Sequence, residues 1–196
     1  LIAVPCMDQL PSRFAQSLAM IKKVGDCAVA FQIGSLVYTS RNELGAKAIK
    51  MDADFVLWLD SDMYFTPDLL ERMMARLEED NLDFLTGLYF RRTPPFTPVL
   101  FDRLEVVNKV LNWTHFGGCG FGCVLMKTDV LLNVNGKFGD LFTPNFNVGE
   151  DLMFCLRARE CGFKIICDPA IECGHIGNTI ITREFYQSYA KTKGGH

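Results

Sequence analysis

The chain has no apolar run approaching the roughly 20 residues that a membrane-spanning helix requires. Its uninterrupted stretch Phe55–Leu59 stops at Asp60. Net charge is small, −3 over 196 residues, which argues against a protein built mainly to grip nucleic acid. No Gly-Lys-Ser/Thr follows a glycine-rich segment, so a P-loop is excluded. Internal repeats, low-complexity tracts, linkers and a secretory leader pattern are all missing. Closely paired zinc ligands are not what the last four cysteines offer. Cys155, Cys161, Cys167 and Cys173 recur every sixth residue, and the first two fall on different faces of one helix. With the other four they read as buried apolar side chains in a reducing, cytoplasmic setting.

What the chain does have is material for a packed core: 49% of its residues are hydrophobic and 22% charged, and 196 residues suit a single domain. Strand-like and helix-like segments alternate, which predicts a layered α/β domain. Strands are expected at 1–5, 27–33, 55–59, 83–88, 121–126 and 164–167. Helices are expected at 12–23, from a Ser40–Glu43 capping box to about Met51, from Thr66-Pro67 onward, at 151–161 and at 183–191. The proline-bearing stretch 91–98 reads as an ordered loop. Residues after about 177 read as a C-terminal extension of one domain spanning 1–196, with Gly194-Gly195-His196 given no role.

Four places carry chemistry. Asp60-Ser61-Asp62 follows the all-apolar strand 55–59, at the strand end where α/β ligand crevices form. In extended chain both carboxylates would face one way and could hold a hard divalent cation, which in turn neutralises a diphosphate. A solvated turn is the plain alternative. Haloacid-dehalogenase-like phosphatases use similar letters but place Thr or Val where this chain has Tyr64. Second, 116–122 is dense in glycine and leads into a strand. Glycine permits close backbone approach to a ligand, or a tight turn. Third, Glu150-Asp151 opens a helix, where acids meet the helix dipole and where one could serve as a general base. Fourth, His175 stands between glycines after a short strand and would complete a metal set with two aspartates. Trp113 and His115 precede the glycine segment and could touch a sugar.

Taken in this order, the four pieces resemble the GT-A glycosyltransferases, and most closely glycosyltransferase family 2. The resemblance implies a Rossmann-like three-layer α/β/α sandwich with a mainly parallel central sheet. It implies transfer of a sugar from a nucleoside-diphosphate donor to an acceptor hydroxyl, with Mn²⁺ or Mg²⁺ and with inversion. Asp62, His175 and Asp60 would hold the metal. Asp151, with Glu150 as second choice, would be the base. Pro5, Cys6, Arg41, Asp60, Ser61, Gly117 and Gly118 would border the donor, as would the segment Gly87–Arg92. Acceptors consistent with it are a glycan, a lipid-linked sugar, a protein or a modified nucleic-acid base. Two other functions stay open. A nucleotide-sugar-forming nucleotidyltransferase shares the fold but carries a Gly-x-Gly-x-Arg loop where this chain has Pro5–Pro11. The other is a non-catalytic nucleotide-sugar-binding module.

Overall fold

A computed structural model describes residues 1–34, 36–102, 105–106 and 114–193. Trp113 and the last three residues therefore lie outside the described residues. The first half runs β1 (Ile2–Cys6), α1 (Ser12–Met20), β2 (Val29–Ile33), α2 (Val37–Lys50), β3 (Phe55–Leu59), β4 (Met63–Tyr64), α3 (Leu69–Glu79) and β5 (Phe84–Leu88). There follow β6 (Leu100–Asp102), β7 (Glu105–Val106), β8 (Thr114–Phe116), β9 (Gly118–Cys119), β10 (Cys123–Lys127), α4 (Thr128–Phe138) and α5 (Glu150–Glu160). The chain closes with β11 (Ile165–Glu172), β12 (Gly174–Ile176), β13 (Ile180–Ile181) and α6 (Arg183–Lys193).

The central sheet has seven strands in the order β2-β1-β3-β10-β5-β11-β8. β1, β2 and β3 are mutually parallel, and β5 is parallel to β11. β10 is inserted antiparallel between β3 and β5, and β8 closes the edge antiparallel to β11. Two strands thus oppose five, a mainly parallel sheet whose site end is the carboxyl edge of β1 and β3.

Side chains alternate between two cores, as a period of two along each strand dictates. Val56 and Trp58 of β3, with Val124 and Met126 of β10, face a core shared with Leu44, Val130, Leu131, Phe154 and Ala158 of α2, α4 and α5. Leu57, Leu59 and Leu125 face the opposite core with Phe14 of α1 and Leu69, Leu70, Met73 and Leu77 of α3. This is the three-layer α/β/α sandwich of a GT-A-like fold. Within the first core, Phe142 stacks on Phe154 at 4.5 Å and meets Trp58 at 5.1 Å and Phe121 at 5.0 Å. These rings form the floor beneath the site. Helix α6 returns to the body, where Tyr186 stacks on Phe90 at 4.9 Å.

Several boundaries differ from the sequence reading. The Ser40–Glu43 capping box does not form. α2 starts a turn earlier, at Val37, and Ser40 is buried inside it with its amide bonded to the Leu36 carbonyl. Helix α1 ends at Met20 because Ile21 turns extended and the Lys22 amide bonds to the Pro67 carbonyl. β11 runs on to Glu172, well past Cys167. Helix α4 had no counterpart in the sequence reading. All eight thiols are free and six are buried.

Candidate functional site

Asp60-Ser61-Asp62 leaves β3 as a tight turn, not as extended chain: the Met63 amide bonds back to the Asp60 carbonyl at 3.1 Å. The two carboxylates therefore diverge to different partners, although both line one cavity. That cavity, of about 260 Å³, is bounded by Pro5, Cys6, Gly34, Ser40, Asp60, Ser61 and Asp62 among others. It opens at the carboxyl ends of β1 and β3. A larger cavity of about 820 Å³ lies at the other end of the sheet, against Val24–Ala28 and Met51–Phe55. Size alone does not locate the chemistry, because both motif aspartates, Asp60 and Asp62, line the smaller one.

Asp60 is gripped from below. Arg41 projects from α2, is 3% exposed, and places Nη2 at 2.7 Å from Asp60 Oδ1. Its Nη1 bonds to Glu150 Oε1 at the start of α5. The guanidinium also lies over the Phe121 ring, 5.4 Å from the centroid. One buried cation thus joins the Asp-x-Asp turn to the acid-bearing helix. Burial opposes its charge, but Asp60, Glu150 and Asp151 more than offset that, and its pKa rises. In this structure Arg41 is a strut between motifs, with little surface left for a nucleotide.

Asp62 meets a different pair. Its Oδ2 lies 2.9 Å from Arg92 Nη1 and 3.5 Å from His175 Nε2. The short antiparallel pairing of β4 with β12 sets His175 opposite Met63, and the Ile176 amide bonds to the Asp62 carbonyl at 2.7 Å. Residues far apart in sequence meet by backbone register. Burial pushes the Asp62 carboxyl up, but the bond to His175, the charge on that ring and Arg92 together bring it below its ordinary value.

The His175 ring is oriented by its other nitrogen, Nδ1, 2.8 Å from the Phe90 carbonyl oxygen. A carbonyl only accepts, so Nδ1 carries a proton. In the neutral ring Nε2 is then a lone pair aimed at a carboxylate oxygen. Two acceptors that face each other call for a cation between them, either a proton or a metal. Metal-binding histidines are commonly oriented by a carbonyl in this way. The Asp62–His175 pair therefore fits a divalent cation. Asp60 does not join it: among the described residues no group of three His, Cys, Asp or Glu side chains is placed to hold a metal. Of the expected set of Asp60, Asp62 and His175, the structure brings together only Asp62 and His175, while Arg41 holds Asp60 elsewhere.

Among the described residues Asp151 has no ion pair of its own. Its Oδ1 accepts the Leu152 amide at 2.7 Å, while Arg41 goes to Glu150. Burial first, and the adjacent Glu150 charge second, raise its pKa above the usual carboxylate value. A carboxylate shifted this way is a better proton acceptor.

The glycine-rich segment packs rather than cradles. A Cβ on Gly120 would fall 2.1 Å from Tyr89 Oη, and one on Gly118 would fall 2.8 Å from Leu152 Cδ2. The Cys119, Gly120 and Gly122 amides are bonded to Cys155 Sγ, the Val99 carbonyl and Tyr89 Oη. Gly117 and Gly118 are buried. Glycine is required here because Tyr89 and α5 press against the backbone, which is the turn-and-packing alternative. For His115, only its backbone pairing with Ile166 is described. Arg92, Tyr89 and the Phe90 carbonyl are the site groups that residue-by-residue reading missed. Their signal was the donor-flanking segment Gly87–Arg92, without individual roles.

Comparison with known proteins bears on this arrangement. Residues 39–130 match the family described as "Glycosyl transferase family 2", a span holding Arg41, the Asp-x-Asp turn, Arg92 and the glycine segment. Glu150, Asp151 and His175 fall outside it and stand on geometry. Among solved structures the chain is similar to A197 from STIV, at 16% identity over 90% of this chain and 84% of that one, with a TM-score of 0.69. At that identity the likeness shows the fold. No curated protein matches. Among the described residues no helix is long and apolar enough to cross a membrane.

Proposed function

We propose that this domain, GT-A-like in fold and similar to glycosyltransferase family 2, binds a nucleoside-diphosphate sugar at the carboxyl ends of β1 and β3 and transfers the sugar to an acceptor hydroxyl with inversion. The observation that carries the proposal is Arg41, which ties the Asp60 turn to Glu150, the chain neighbour of Asp151. The binding half rests on fold and family match, and the transfer half on Asp151.

In this reading the base and ribose occupy the cavity walled by Pro5, Cys6 and Ser40, and the diphosphate lies toward Asp62. Asp62 and His175 would hold Mn²⁺ or Mg²⁺. Such a cation, when bound, neutralises charge on the departing diphosphate. Asp151 accepts the acceptor's hydroxyl proton as that oxygen attacks the anomeric carbon from the face opposite the diphosphate. Glu150, held by Arg41, raises Asp151's basicity through its adjacent negative charge. The aromatic floor excludes water beneath these charges, which strengthens their fields.

A second reading, a nucleotide-sugar-binding module without transfer, has a specific observation in its favour. Both motif aspartates already face arginines, and no three-residue metal group occurs among the described residues. A panel of nucleotide sugars with Mn²⁺ or Mg²⁺, assayed for nucleoside-diphosphate release with and without candidate glycan, lipid-linked and protein acceptors, separates the two. Transfer predicts acceptor-stimulated release and a product anomer inverted by NMR. Tight binding of a nucleotide sugar with neither release nor product selects the binding module.

A further inference from the structure

Asp62 has two side-chain neighbours, His175 and Arg92, and only one of them is fixed. His175 is held by β4–β12 pairing and by the Phe90 carbonyl. Arg92 reaches the same oxygen, Asp62 Oδ2, from a side chain that is 51% exposed. It lines a cavity of about 490 Å³ together with Thr93, Pro94, Phe96, Gly177–Thr179 and Ile181. The guanidinium therefore has room to leave Asp62 without repacking the domain.

A guanidinium and a divalent cation cannot share one carboxylate oxygen without strong repulsion. If a metal takes Asp62 and His175, Arg92 must move, since the imidazole cannot. The group that arrives with the metal is a diphosphate, and a guanidinium fork matches its oxygens well. We infer that Arg92 is an exchangeable counter-ion, holding Asp62 in the free protein and passing to the diphosphate when metal occupies Asp62 and His175. This rests on the reading of that pair as a metal site given above. It makes metal and diphosphate bind cooperatively. Metal alone must displace Arg92 with nothing to receive it, whereas the diphosphate supplies the new partner.

Binding calorimetry with Mn²⁺ alone, and with inorganic pyrophosphate at saturating Mn²⁺, tests this on wild type and Arg92→Gln. The variant site is exposed, so folding is not at risk. The variant should bind Mn²⁺ alone more tightly than wild type. It should bind pyrophosphate more weakly, by roughly tenfold or more, as loss of a charge-assisted hydrogen bond implies. Arg92→Lys, which keeps charge but loses the fork, should fall between them for pyrophosphate. Unchanged or weaker Mn²⁺ binding in Arg92→Gln, or unchanged pyrophosphate affinity, overturns the inference. Asp62→Asn separates the two levels. If it abolishes Mn²⁺ binding while Arg92→Gln has no effect, only the role of Arg92 falls. If it leaves Mn²⁺ binding intact, the metal reading falls and the Arg92 inference with it.

Discussion

Replacing Arg41 with methionine keeps the stem and the apolar contact with Phe121 but removes the one cation shared by Asp60 and Glu150. The Arg41 side chain is 4% exposed, Glu150 19% and Asp60 31%. Removing one partner of a buried ion pair typically costs about 3–5 kcal/mol, because the remaining charge is stranded. Asp60 is the more solvated partner and water screens part of its share, so the lower end, about 3 kcal/mol, is expected. In a domain of this size each kcal/mol moves the melting temperature by about 2–4 °C, giving a drop of roughly 6–12 °C. Urea unfolding at neutral pH measures the loss. Adding Glu150→Gln to Arg41→Met should recover part of the loss, since it removes a stranded charge. A single variant within about 1 kcal/mol of wild type, or a double variant no better than the single, would refute the strut assignment.

Asp151→Asn should leave nucleotide-diphosphate affinity intact and lower turnover by about 10²–10⁴-fold, the usual worth of a general base; near-normal turnover moves the role elsewhere. Because burial and Glu150 raise the Asp151 pKa, the acid limb of kcat/KM should lie above the ordinary carboxylate range, with activity rising as pH increases through it. Glu150→Gln removes the like charge and should shift that limb to lower pH; a limb that stays put argues against Asp151 as the titrating base. Gly120→Ala drives a methyl to within 2.1 Å of Tyr89 Oη and should destabilise by about 1–3 kcal/mol in urea unfolding. Tyr89→Phe in the same chain should recover part of that, and an unchanged midpoint in Gly120→Ala would show that the loop gives way freely.

Local signals carried much of this architecture. The apolar run 55–59 bounded by Asp60, the i, i+1, i+4 face of α3 and the acids that open α5 are each dictated by short-range patterning, and their elements lie where that patterning puts them. α4 was also within reach, since Val130, Leu131 and Val134 form a buried face and Gly139 ends the helix at φ 68°. The direction of β10 was not, because an apolar run buried on both sides reads alike in either direction. The capping-box pattern misled for a related reason: the tertiary demand to bury Ser40 and Arg41 extended α2 by a turn past a plausible local start. At the site, residue types were legible and their pairings were not. Arg41 precedes Asp60 by 19 residues and Glu150 by 109, so its bridging charge is visible only once the layers are assembled. The same holds for Asp62 and His175, which β4–β12 register joins.

Titration of Mn²⁺-dependent nucleoside-diphosphate binding, over a panel of UDP, GDP, dTDP, CDP and ADP, tests the central claim most directly when repeated on Asp62→Asn and His175→Ala. One or more of these diphosphates should bind wild type with an affinity that Mn²⁺ increases, and each substitution should abolish that increase while leaving the fold intact by circular dichroism. An Mn²⁺-dependent increase that survives unchanged in both variants would contradict the assignment of Asp62 and His175 as the metal–diphosphate locus.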